Sequence, residues 1–265
     1  MQGAVLGDIM GSVYERVPTK TKAIELFCEG SRFTDDTVLT LAVAEAILTG
    51  APYAPLLKSW ARRYPNAGYG QRFVRWFLSE DFPPGNSFGN GSAMRVSPVG
   101  WAFDDLETVL TEAARSAEPT HHHPEAVAAA QTVAGAIFLA RMGQDKDAIR
   151  QFAAERLGCD MTRTVAAIRP GYRFSSASAQ SVPEAVIAFL DATSFEDAVR
   201  NAISLGGDAD TQACIAGALA EAFYGPVPET FAARLKTYLP PEGMRVMEAF
   251  VKRYCGLARQ RQRNM

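Results

Sequence analysis

The chain has 265 residues, 48% apolar and 21% charged, with 27 Lys and Arg against 29 Asp and Glu for a net charge of −2. That balance excludes a generally basic nucleic-acid binder, a strongly acidic tail and a disordered chain. The length suits one large domain over residues 1–265 better than two small ones.

Helical spacing dominates the chain and alternating apolar/polar runs are scarce, so an all-α protein is expected. Helices are predicted over 3–15, 36–49, 53–63, 69–79, 104–116, 124–142, 145–157, 183–191, 195–204, 210–223, 229–236 and 241–258. The first carries Gly3, Gly7 and Gly11 on one face, which suits close approach of another helix. Asp8 interrupts its apolar run and no basic segment precedes it, so a signal peptide is not expected. Asp104 before Leu106, with Glu107 three positions on, reads as a capping box. Pro124, Pro183 and Pro228 each sit where a first helical turn tolerates a missing N–H. The apolar stretch 126–140 is too short to span a bilayer, so no membrane partner is expected.

Two segments, 82–91 and 169–182, are rich in Gly, Pro, Ser and Asn and read as long loops of the kind that carry function. Cys28, Cys159, Cys214 and Cys255 show no zinc-type spacing and no disulfide framework. A reduced, cytoplasmic protein is expected, and a monomer. The basic stretch holding Lys252, Arg253, Arg259, Arg261 and Arg263 reads as a solvated helix end or as a steering patch for an anionic substrate.

The chemistry concentrates at two helix starts. One is Phe33-Thr34-Asp35-Asp36-Thr37, before the apolar run from Val38 to Val43. The other is Gly206-Gly207-Asp208-Ala209-Asp210-Thr211, before Gln212-Ala213-Cys214-Ile215. Either alone is explained as well by helix capping as by a metal. A cap needs one such residue, however, and a second carboxylate in the same turn adds repulsion that burial makes costly. Neither segment contains Lys or Arg. A shared divalent cation would answer the charge problem, and carboxylates with Thr hydroxyls are hard oxygen donors suited to Mg²⁺ or Mn²⁺. Gly89-Asn90-Gly91 has the form of a loop whose N–H groups approach phosphate oxygens, although most such segments are turns. The only histidines are His121, His122 and His123, and adjacent residues point in different directions.

With these segments the chain resembles the ADP-ribosylglycohydrolases, the (ADP-ribosyl)hydrolase or dinitrogenase-reductase-activating type. The resemblance runs in the family's order through Gly3 to Glu15, Phe33 to Thr37, Gly68-Tyr69-Gly70, Ser87 to Arg95, Thr120-His121, Ser181 to Ala185 and Leu205 to Thr211. It implies a compact orthogonal multi-helix bundle with a two-metal site at helix N-termini, holding Mg or Mn. The implied ligands are Thr34, Asp35, Asp36, Asp208, Asp210 and Thr211. Ala209 stands where the family often has Thr, at a position that is not a ligand. Implied for ADP-ribose are Gly68, Gly70, Ser87, Phe88, Gly89, Asn90, Gly91, Met94 and His121, with Phe88 stacked on adenine and His121 on the diphosphate.

The implied reaction is hydrolysis of the glycosidic bond between ADP-ribose and an acceptor, releasing ADP-ribose. The substrate would be an ADP-ribosylated protein or small molecule, with nucleic acid not excluded. Glu15 is implied on a mobile segment over the site as a catalytic carboxylate; without the resemblance it reads as a surface glutamate beside Arg16. Asp35 and Asp208 are secondary candidates for water activation. The forms at 68–70 and 87–88 lean toward the serine-acting branch rather than the arginine-acting one. Two other readings compete. A helical Mg-dependent enzyme acting on a diphosphate would carry Asp-Asp-x-x-Asp, and Asp35-Asp36-Thr37-Val38-Leu39 lacks the last acid. A non-catalytic ADP-ribose binder would be expected to lose metal ligands.

Overall fold

A computed structural model describes residues 1–80, 83 and 85–256. Phe82 and Pro84 of the predicted 82–91 loop, the last two residues of the predicted 241–258 helix, and the basic residues Arg259, Arg261 and Arg263 lie outside the described residues. Among the described residues the secondary structure is helical throughout, as expected, and pairing of the β type is confined to the isolated bridges Asn86–His121 and Gly89–Ala177.

Two helices form the axis. α1 (Gln2–Gly11) is buried at every position after Gln2, and α13 (Ala209–Tyr224) is buried from Ala209 to Ala222. They run antiparallel with backbone against backbone. A Cβ on Gly3 would lie 2.2 Å from the Gly217 carbonyl oxygen, one on Gly7 2.0 Å from that of Ala213, and one on Gly11 2.4 Å from that of Ala209. The four-residue glycine spacing read from sequence is therefore a packing face, and any side chain there would force the helices apart. In this register the C-terminus of α1 meets the N-terminus of α13.

Around the axis lie α2 (Asp35–Thr49), α8 (Pro124–Arg141), α11 (Ser178–Leu190) and α12 (Phe195–Ser204). An outer layer comprises α3 (Tyr53–Arg63), α4 (Gln71–Leu78), α6 (Ser97–Ala102), α7 (Leu106–Ala117), α9 (Lys146–Leu157) and α16 (Pro241–Phe250). Short helices complete the set: α5 (Gly91–Met94), α10 (Val165–Ile168), α14 (Glu229–Ala232) and α15 (Leu235–Tyr238). No helix among the described residues is long and apolar enough to cross a membrane.

Several boundaries differ from the sequence reading. α1 stops at Gly11, so Glu15 lies in the turn that follows. The cap of α7 is Asp105, which accepts from the Thr108 N–H at 2.8 Å, rather than Asp104. α11 begins five residues earlier than predicted, at Ser178, which leaves Pro183 inside the helix. Its serine-rich first turn carries no strong helix signal and is fixed instead by tertiary bonds: Ser178 donates through N–H to the Phe88 carbonyl at 2.9 Å and through its hydroxyl to that of Gly89 at 2.7 Å. Pro124 does occupy the first turn of α8, whereas Pro228 is the cap of α14. The predicted helix over 229–236 breaks into α14 and α15, and that over 241–258 gives way after Phe250 to a π-helical turn, Val251–Cys255.

Candidate active site

The antiparallel axis brings the two acidic helix starts together. At the start of α2, the cap Thr34 accepts from the Asp36 N–H at 3.4 Å, and the Asp35 N–H donates to the Ala67 carbonyl at 2.9 Å. At the start of α13, Asp208 is the cap, and Asp210 accepts from the Thr211 N–H at 2.9 Å. The Thr211 hydroxyl donates across to Asp36 Oδ2 at 3.4 Å, tying the two starts to each other.

The carboxylates form two overlapping triads. Oxygens of Asp8, Asp36 and Asp210 lie within 4.8 Å of one another, as do oxygens of Glu15, Asp208 and Asp210. Asp210 belongs to both. Among the described residues none of these groups is ion-paired with Lys or Arg. Burial pushes the carboxyls of Asp36 and Asp210 well above the usual carboxylate range, and their neighbours' charges add to it. Desolvation, followed by the charges of Asp8, Asp208 and Glu15, raises Asp35 to about 8. Glu15 is raised by partial burial and then by Asp208, with Arg16 and Arg32 opposing.

Asp8 is not among the ligands implied by the sequence, and its geometry shows a different task. Its Oδ2 accepts from the N–H of Thr34 at 2.9 Å, the N–H of Thr37 at 3.1 Å and the Thr37 hydroxyl, while Oδ1 accepts from the Thr34 hydroxyl at 2.7 Å. Four donors occupy its lone pairs, so Asp8 fixes the start of α2 from beneath. Asp36 Oδ1, by contrast, is buried without a hydrogen-bond partner. An orphaned carboxylate oxygen amid unpaired acids and Thr hydroxyls is the donor set of a hard-cation site.

With Asp8 beneath them, Glu15, Asp35, Asp36, Asp208 and Asp210 form the floor of a cleft of about 730 Å³. One wall is the loop from Gly85 to Met94. Asn90 anchors it: its N–H donates to the Ser176 carbonyl at 2.8 Å, and its side-chain amide donates to Asp208 Oδ2 at 2.8 Å and to the Ser181 hydroxyl at 3.1 Å. His121 lies against this loop, and a Cβ on Gly91 would come within 3.0 Å of its ring. Gly68 closes the other side with φ +116°, where a Cβ would also meet Asp35 Oδ1 at 3.1 Å.

The six predicted ligands therefore converge, Glu15 joins them, and Gly68, Gly70, Ser87, Gly89, Asn90, Gly91, Met94 and His121 all line the same cleft. Phe88 does not line it: its ring is 57% exposed and meets His123 edge-on at 6.1 Å. His122 is exposed, and His123 caps α8 by accepting from the Glu125 N–H at 3.3 Å. Sequence reasoning missed Asp8, Arg95, Phe174 and Ser176. For Asp8 the signal was a lone acid in a helix otherwise too apolar to face water; for Phe174 and Ser176 it was the loop 169–182.

Comparison with known proteins agrees with this geometry. The chain is similar to ADP-ribosylhydrolase ARH3 of Gallus gallus, at 26% identity over 94% of this chain and 88% of that protein. It is similar to ADP-ribosylarginine hydrolase Tri1 of Pseudomonas putida, at 27% identity over 84% of this chain and 69% of that one. In structure it is similar to a chain of an ADP-ribosylglycohydrolase-related protein complex, with a TM-score of 0.72, 25% identity and 94% of both chains covered. The ADP-ribosylglycohydrolase family model matches residues 1–264, and with the acidic helix starts in register at the floor of one cleft, the chain belongs to that family.

Proposed function

We propose that this protein is a metal-dependent ADP-ribosylhydrolase that cleaves the glycosidic bond at the anomeric carbon of the distal ribose and releases ADP-ribose. The observation that carries the reading is the pair of carboxylate triads sharing Asp210 at the floor of a cleft walled by the Gly85–Met94 loop. Two divalent cations, Mg²⁺ or Mn²⁺, would be held by Thr34, Asp35, Asp36, Asp208, Asp210 and Thr211, with Asp8 orienting Thr34 from behind. When bound, they would polarise ribose hydroxyls and acidify a water.

The protein's own groups do the rest. Leaving-group departure builds positive charge on the ribose ring, as in other glycosidic cleavages, and the acidic floor stabilises it. Glu15, raised by partial burial and by Asp208, is placed to hold or take a proton at the reacting water or the leaving group. The glycine-rich loop and the His121 ring wall the part of the cleft where the diphosphate would lie. The acceptor is an ADP-ribosylated protein side chain or another ADP-ribosylated group. The similarity to an ADP-ribosylarginine hydrolase makes a guanidinium adduct the first to test, beside serine and nucleobase adducts.

The test is release of free ADP-ribose from that panel with Mg²⁺, with Mn²⁺ and with chelator. Release from at least one adduct, lost in chelator, is expected. ADP-ribose binding with no release from any adduct would leave a non-catalytic binder. A second measurement concerns Phe88. An adenine laid on its exposed face would cover it, so Phe88→Ala is expected to weaken ADP-ribose binding by about 1–3 kcal/mol in calorimetry. Unchanged affinity would remove Phe88 from the ligand surface.

A further inference from the structure

We propose that Arg95, acting through the Thr120 hydroxyl, fixes the ring tautomer of His121 so that an Nε2–H donor faces the glycine-rich loop. The inference rests on the reading that this cleft binds ADP-ribose, and it assigns a positioning role to two residues outside the predicted site.

Arg95 is fully buried at the end of α5. Its Nη2 donates to the Ser116 carbonyl at 2.8 Å and to Thr120 Oγ1 at 2.9 Å, and Nε and Nη1 have no partner. Among the described residues no carboxylate pairs with it. A buried cation satisfied only by neutral groups is costly for stability alone, and its place under a ligand loop points to function. It borders the cleft but has no exposed surface, and the neighbour it bonds at the cleft wall is the route by which its charge and geometry reach a ligand.

That neighbour is Thr120, whose Oγ1 lies 2.7 Å from His121 Nδ1. A guanidinium can only donate. Thr120 Oγ1 therefore accepts from Arg95, and because Nδ1 is the one other partner of this hydroxyl among the described residues, its proton is satisfied only by donating to Nδ1. Nδ1 becomes an acceptor and the ring proton resides on Nε2. The ring is neutral, because burial and the nearby Arg95 charge both hold His121 well below its usual pKa. The Nε2 edge faces the loop: a Cβ on Gly91 would lie 3.0 Å from Nε2 and one on Gly89 3.7 Å from it. The protein thus presents one fixed N–H where an anionic oxygen of a diphosphate would sit, with an uncompensated positive charge behind it. The opposite tautomer would turn a lone pair toward that anion.

The test uses the full-length protein and ¹⁵N NMR of the histidine rings, with His121 assigned by its absence in His121→Gln. At neutral pH the ligand-free wild type is expected to show His121 as the Nε2–H tautomer. Thr120→Val keeps the side-chain shape and the Arg95–Ser116 bond but removes the hydroxyl. It is expected to redistribute the tautomers and to weaken ADP-ribose binding about tenfold, while adenosine, which lacks phosphate, binds as before. Thr120→Ser is expected to restore both. Nδ1–H in the wild type, or an unchanged tautomer in Thr120→Val, would overturn the relay. So would an equal loss for ADP-ribose and adenosine, which marks simple structural damage. If wild-type protein fails to bind ADP-ribose, the ligand reading falls, and the NMR result still decides the relay.

Discussion

Asp210→Asn is expected to lower the rate of ADP-ribose release by about 10³-fold, corresponding to about 4 kcal/mol of lost transition-state stabilisation. Asp210 is the carboxylate common to both triads, so one substitution weakens both proposed cation positions. The same variant is expected to gain stability in chelator, because one member of a buried cluster of like charges is gone. Asp35, at about 8, gives the metal-free wild type a pH signature. Its carboxyl holds a proton in the fold that the unfolded chain, at an ordinary 3.8, releases. The associated stability is complete below pH 3.8 and is lost as pH rises through about 8. Chelated wild-type protein should therefore melt at lower temperature at pH 8 than at pH 5, and Mg²⁺ or Mn²⁺ should reverse the loss. Calorimetric melts of both proteins, with and without metal, measure all of this. A flat pH profile in chelator would refute the buried, protonated state of Asp35, and an undiminished metal-induced shift in Asp210→Asn would refute the cation assignment.

Glu15→Gln is expected to act on chemistry rather than binding. The amide keeps the size and most hydrogen bonding of Glu15 but cannot exchange a proton. A fall in kcat of about 10²–10⁴ is expected, the usual scale of general acid–base catalysis, with a much smaller change in KM. Glu15 also lies within 4.8 Å of Asp208 and Asp210, close enough to share a cation with them. The metal-induced rise in melting temperature separates the two roles: it is retained if Glu15 acts on water or the leaving group and reduced if Glu15 is a ligand. Near-normal turnover would remove Glu15 from the chemistry and leave water activation to Asp35 and Asp208.

What the sequence reveals here is what lies close in the chain. The paired acids at 35–36 and 208–210 announce a site because each pair crowds one helical turn, and the repeated glycines announce a packing face because helical geometry aligns them. Partners do not show in this way. Asp8 reads as an interruption of an apolar run because the groups that use it, Thr34 and Thr37, are 26 and 29 positions away. Arg95 follows the recognisable Gly-Asn-Gly segment, yet its role rests on Ser116 and Thr120 from a different part of the bundle. α5, α6 and α10 are too short to display a period, and the first turn of α11 owes its shape to the Gly85–Met94 loop.

The glycine face of α1 has a consequence for the metal chemistry proposed above. Because α1 rests directly on the backbone of α13, no side chain cushions the contact, and the spacing between Asp210 and the start of α2, which Asp8 holds in place, is set by peptide groups that cannot be compressed. A cation held between them, as proposed, would meet a fixed bite, and Mg²⁺ and Mn²⁺ would be sorted by fit as well as by charge. A methyl group at Gly3, on the far end of the same seam, would act as a wedge, tilting one acidic shelf against the other without touching either. Ion preference in this protein should be adjustable from a position that no ligand ever meets.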